Sequence, residues 1–172
     1  MDISTITEAF SDVTIQSPTV GVMLAGLLAV ALVFLSAFAS GSEIAFFSLS
    51  PSDVAELEDG KNPSDRKIQM LREYSERTLA TILITNNFVN VMIVMLLSNI
   101  FVSIVKFGPK AYWLEFLIMT VFLTFLLLLF GEIMPKVYCR QNPLRFCRRC
   151  VDAILFARKI FWPIETILLK SG

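Results

Sequence analysis

The sequence predicts an all-α integral membrane protein: three transmembrane helices, a cytoplasmic-side helical hairpin and an amphipathic juxtamembrane helix. Three observations predict it. The composition is 55% hydrophobic and only 17% charged, against roughly 25% charge in an ordinary soluble domain. The charges leave three long gaps, Asp12 to Glu43, Arg77 to Lys106 and Glu115 to Glu132. Basic residues then collect in alternate flanks of those gaps. The 15 basic and 15 acidic residues cancel, which removes a general electrostatic case for nucleic acid. Histidine is absent, so His-dependent triads and His-ligated metals are excluded. The length of 172 residues accommodates one domain, residues 1–172.

A helix needs roughly 20 apolar residues to cross the hydrocarbon core. The first gap supplies a span over about 20–45, behind an N-terminal tail of about 1–19. That tail is acidic and lacks a basic leader, so a cleavable signal peptide fits it poorly. The second gap supplies a span over about 78–105, although it carries asparagines. The third, about 111–135, is completed at the interface by Ala111 to Trp113. Lys plus Arg counts in the four flanks run 0, 5, 2 and 8. By the positive-inside rule the N-terminus is outside and the C-terminus cytoplasmic, in the cell's inner (plasma) membrane.

Two segments neither span nor loop. Residues 51–77 open on Ser50-Pro51-Ser52-Asp53, a helix start, and break at Asp59-Gly60-Lys61-Asn62-Pro63. A second start follows at Ser64-Asp65, with Ile68, Met70 and Leu71 on the apolar side. Residues 144–168 alternate basic residues with Val151, Ile154, Leu155, Phe161, Ile164 and Leu168. This is an amphipathic interfacial helix, interrupted or kinked at Pro163. Cys139, Cys147 and Cys150 lie on the cytoplasmic side, where thiols stay reduced. Cys147 and Cys150 have zinc-ligand spacing, but too few partners exist for four ligands, so all three read as small apolar packing residues.

Polar residues inside the spans carry the chemistry, since they are costly there and face a bundle interior or a water path. Ser36 and Ser40 are four apart and share a helix face, as do Asn86 and Asn90. Close packing and interhelical hydrogen bonds are the plain reading of such residues. Oxygens converging on one site are the sharper reading. In Gly131-Glu132-Ile133-Met134-Pro135-Lys136, Pro135 has no amide for the carbonyl four residues back, which is Gly131. A free carbonyl beside the Glu132 carboxylate suits a cation. Against this, the proline could simply end the helix, with Glu132 snorkelling or pairing with Lys136. Together the candidates form an all-oxygen set, which selects hard cations such as Mg²⁺, Na⁺ or Ca²⁺ without distinguishing them.

At these residues a resemblance emerges. The stretch from Leu35 to Ala45, the stretch Leu83-Ile84-Thr85-Asn86-Asn87-Phe88-Val89-Asn90, and Gly131 to Lys136 resemble the three helix motifs of the CorC/CNNM magnesium transporter family. The resemblance covers about residues 20–168. It implies a homodimeric DUF21-type transmembrane domain that exports Mg²⁺ with Na⁺ as coupling ion. It further implies a cation site at Ser36, Ser40, Asn86 or Asn90, the Gly131 carbonyl and Glu132. Thr85 stands where relatives usually have glycine. Relatives usually continue into cytoplasmic CBS domains, which are therefore expected in the full-length protein. For the dimer, Gly21, Ala25 and Ala29 offer a small-residue stripe that serves helix packing either between or within subunits. The rival readings are a membrane anchor or assembly module and a Mg²⁺ sensor without transport. No nucleophile and base pair is visible, so an enzyme is not expected.

Overall fold

Thr19 starts the first helix by accepting the Val22 amide on its hydroxyl at 3.4 Å. From there α1, Val20–Phe47, runs 28 residues, about 42 Å at 1.5 Å per residue. That exceeds a hydrocarbon core of about 30 Å, so the helix is long enough to cross it with turns to spare. The computed structural model describes residues 13–108 and 112–171, with side chains through Trp162. The acidic tail through Asp12, Lys110, Ala111 and the side chains of Ile164 and Leu168 lie outside the described residues.

After α1 the hairpin forms as α2, Pro51–Glu58, and α3, Asp65–Glu73. Ser50 and Asp53 build a reciprocal capping box, and Pro51 sits at the first helical position, where no amide is missed. At α3 the predicted Ser64 cap makes no side-chain bond. Asn62 does that work: its side chain accepts the Ser64 amide at 3.0 Å, while Asp65 accepts the Asn62 amide at 2.9 Å. Ile68 and Leu71 are fully buried, but Met70 points outward. A helical residue two from Ile68 lies on a different face.

The second span, α4, Ser75–Ile104, begins earlier than expected because Thr78 donates back to the Leu71 carbonyl at 2.7 Å, clipping it to the hairpin. Its end pairs with the N-terminal side of the chain. β1, Thr14–Ile15, forms a short antiparallel ladder with β2, Val105–Lys106. Two-residue strands leave no periodicity to read, and the ladder was not expected.

The third span does not stop at Pro135. α5, Tyr112–Leu126, passes into a π-helical segment, Leu127–Ile133, and then into α6, Met134–Gln141. The Met134 amide bonds the Leu129 carbonyl, five residues back. Proline breaks an α-helix by crowding the carbonyl four residues before it. Widening the ladder relieves that contact and lets the helix continue. The last helix, α7, Pro143–Ser171, likewise runs across Pro163 without the predicted interruption.

All three spans turn their apolar side chains outward, with Phe34 72% and Phe116 71% exposed on the isolated chain. Such a surface needs lipid. Leu32, Val89 and Ile93 hold α1 to α4. A second core gathers Phe46, Leu57, Ile68, Leu71, Cys139, Cys147, Cys150 and Val151 from α1, the hairpin, α6 and α7. The three thiols are thus buried as apolar packing. Glycine at 41 is required there, because a Cβ would lie 2.6 Å from Cys139 Sγ. Arg148 does not face the interface. It reaches the hairpin, bonding Asp65 at 2.8 Å and Glu56 at 2.9 Å, while Lys67 pairs with Asp152.

Candidate functional site

The close packing of α1 on α4 brings two polar pairs face to face. Ser36 and Ser40, successive turns of α1, are fully buried, as is nearly all of Asn86. Ser36 Oγ lies 2.5 Å from Asn90 Oδ1 and 3.1 Å from Asn86 Oδ1. Ser40 Oγ donates to Asn86 Oδ1 at 3.2 Å. A hydroxyl has one hydrogen, so Ser36 serves one amide oxygen at a time, and when it serves Asn90 the Asn86 oxygen keeps the Ser40 donor. Asn87 faces outward. Both Asn86 and Asn90, not one of them, meet the serines.

The third span closes the cluster with its backbone. Gly131 is buried, and a Cβ there would sit 3.1 Å from Ser36 Oγ and 3.3 Å from Leu127 Cδ2. The rung lost at Pro135 falls on this stretch. In the four-residue register the missing amide would have served Gly131, and in the five-residue register seen at Met134 it would have served Phe130. Beside it, Glu132 Oε1 accepts the Asn90 amide at 3.5 Å. This contact sets the orientation of Asn90. Its Nδ2 faces Glu132 and its Oδ1 faces Ser36.

Ser36, Ser40, Asn86, Asn90, Gly131 and Glu132 therefore converge, from three spans, on one location. Lys136 does not pair with Glu132; its Nζ lies 3.1 Å from Glu43 Oε2 on α1. Thr85 donates to the Thr81 carbonyl at 2.7 Å and leaves Asn86 to the serines. Among the described residues no three His, Cys, Asp or Glu side chains are placed to share a metal. The donor chemistry is neutral oxygen plus one carboxylate, which fits a hard cation held briefly.

Glu132 and Asn90 also line a cavity of about 310 Å³ between α4 and α5, together with Ser98, Thr120 and Thr124. Those three hydroxyls were missed. Their signal was available, since Thr120 and Thr124 are four apart and Ser98 is eight beyond Asn90, each set on one helix face.

The profile of the cyclin M transmembrane N-terminal domain (CNNM) matches residues 27–172. The metal transporter cnnm-4 of Caenorhabditis elegans is 30% identical over 136 residues, covering 76% of this chain and 28% of the relative. A DUF21 domain-containing chloroplast protein of Arabidopsis thaliana is 32% identical over 143 residues, covering 83% of this chain and 21% of its own length. A UPF0053 protein of Haemophilus influenzae is 30% identical over 134 residues, covering 78% and 30%. The chain thus spans less than a third of each of these relatives. With the match running through all three spans and the oxygen cluster between them, the chain belongs to the CNNM transmembrane-domain family.

Proposed function

We propose that this domain carries Mg²⁺ across the membrane through the oxygen cluster at Ser36, Ser40, Asn86, Asn90, Gly131 and Glu132. One observation carries the reading. Four side-chain oxygens from two spans, the Ser36 and Ser40 hydroxyls and the Asn86 and Asn90 amides, meet with two hydroxyl hydrogens among them, which leaves lone pairs that a cation could use. Glu132 supplies charge, and the cavity beyond it supplies hydroxyls along which a partly hydrated ion could move. The relative named a metal transporter supports the same class of cargo.

The finer parts of the reading are export, coupling to Na⁺, a homodimer, and CBS domains in the full-length protein. The N-terminus lies outside and the C-terminus in the cytoplasm of the plasma membrane, on the basic-residue counts. The β1–β2 ladder holds the N-terminal segment and the α4–α5 connection on one side, and the basic-residue counts alone say which side that is. A thiol introduced at Ser64 tests the orientation. In intact cells it should react only with a permeant reagent, and labelling by an impermeant one reverses the topology. Function is tested by Mg²⁺ flux into liposomes holding the full-length protein, with and without a Na⁺ gradient. Gradient-dependent flux is expected. Mg²⁺ binding without any flux would favour the sensor, and neither binding nor flux the anchor.

A further inference from the structure

Ser36 and Ser40 are fully buried, so the cluster between α1 and α4 has no room for an ion in its whole water shell. Mg²⁺ parts with that shell reluctantly, and the water must be shed close by. The hollow of about 310 Å³ between α4 and α5 adjoins the cluster, since Asn90 and Glu132 belong to both. Six waters occupy roughly 180 Å³ at about 30 Å³ each, so a fully hydrated ion fits inside it. Among the described lining residues, Glu132 is the only ionisable side chain.

The hydroxyls of the hollow are idle. Elsewhere on α4 they turn back onto their own helix: Thr81 donates to the Arg77 carbonyl at 2.9 Å, Thr85 to Thr81 at 2.7 Å and Ser103 to Asn99 at 2.7 Å. Ser98, Thr120 and Thr124 make no side-chain hydrogen bond among the described residues. An unused hydroxyl inside a span is costly, and water held in the hollow satisfies it. Thr120 and Thr124 occupy successive turns of α5, and Ser98 lies two turns beyond Asn90 on α4. From the cluster, these groups lead toward the α4–α5 connection.

We propose that this hollow is a second cation site, which takes a divalent ion with its water shell intact. The bound waters donate to the Glu132 carboxylate and to the Ser98, Thr120 and Thr124 oxygens. The inference deepens the Mg²⁺ reading above and rests on it. Cobalt(III) hexaammine tests it. Its six ammonia ligands donate hydrogen bonds as bound water does, but they do not exchange, which bars the metal from the oxygen cluster. Binding of this ion and of Mg²⁺ is measured by calorimetry on the purified chain in lipid nanodiscs, and the parent should bind both. The triple variant Ser98→Ala/Thr120→Val/Thr124→Val should lose about tenfold in hexaammine affinity and less in Mg²⁺ affinity. Ser36→Ala should do the reverse. A parent that binds Mg²⁺ but no hexaammine overturns the hydrated site and leaves the Mg²⁺ reading standing. A parent that binds neither ion overturns both. Hexaammine affinity that is unchanged in the triple variant, as from contact with surface acids, also overturns the hydrated site. Thr120 and Thr124 are exposed on the isolated chain, so Thr120→Val/Thr124→Val reads the same loss, at about fivefold, where the triple variant fails to fold.

Discussion

Lys136 Nζ stands 3.1 Å from Glu43 Oε2, so the lysine one turn beyond Glu132 is held by the first span and Glu132 is left to Asn90. The pair is partly exposed on both sides, and such pairs contribute about 1 kcal/mol or less. Lys136→Met should therefore lower thermal stability by no more than that and shift Mg²⁺ affinity less than about threefold. A tenfold or larger rise in affinity would mean that the lysine had been competing with the cation for Glu132.

Gly131 and Gly41, both buried, should behave differently. At Gly131 an alanine Cβ would meet Ser36 Oγ at 3.1 Å, displacing the hydroxyl at the centre of the cluster. Gly131→Ala should weaken Mg²⁺ binding while costing about 1 kcal/mol of stability. Gly41→Ala would set a Cβ 2.6 Å from Cys139 Sγ, away from the cluster. It should cost about 2 kcal/mol and leave the affinity of the folded fraction unchanged. Melting curves and calorimetry on both variants separate the effects.

Ser36 touches two amide oxygens and Ser40 one. Ser36→Ala should weaken Mg²⁺ binding more than Ser40→Ala, and both less than loss of the Glu132 charge. Equal, negligible effects from the serines would assign them to helix packing.

Acid should loosen the hairpin. The Arg148 guanidinium, with the Asn62 amide behind it, holds the Asp65 carboxyl below its ordinary value of 3.8, against the opposing effect of burial. A depressed carboxylate contributes stability that is complete above the unfolded value and is lost as pH falls through the folded one. Stability from this pair should be constant from pH 7 to about 4 and fall below that. Asp65→Asn should cost about 2 kcal/mol at pH 7, and its melting curve should converge on the parent's in strong acid.

Much of this architecture was legible because lipid enforces it. Uncharged runs mark the spans whatever their packing, and a serine pair and an asparagine pair at helical spacing announce a shared face. The end of the third span was misread because Pro135 speaks only for an α-helical register. Whether the ladder widens depends on what Gly131 packs against, here Ser36 from another helix. The basic residues of 144–168 were read together as interfacial, and Arg148 among them departs from that reading for a similar reason. Its partner Asp65 lies 83 residues away, and local sequence carries no record of it. The Ser98, Thr120 and Thr124 hydroxyls were visible as spacing but could be ranked only once α4 and α5 were placed together.

The most direct test of the account is a Mg²⁺ titration by calorimetry on the purified chain and on Glu132→Gln. The substitution keeps the shape of the side chain and removes its negative charge, so folding is checked by an unchanged elution profile. Glu132→Gln should lose at least about tenfold in affinity, roughly 1.4 kcal/mol. If Glu132→Gln binds Mg²⁺ as the parent does, the carboxylate is only a helix-end charge and the oxygen cluster is not the ion site.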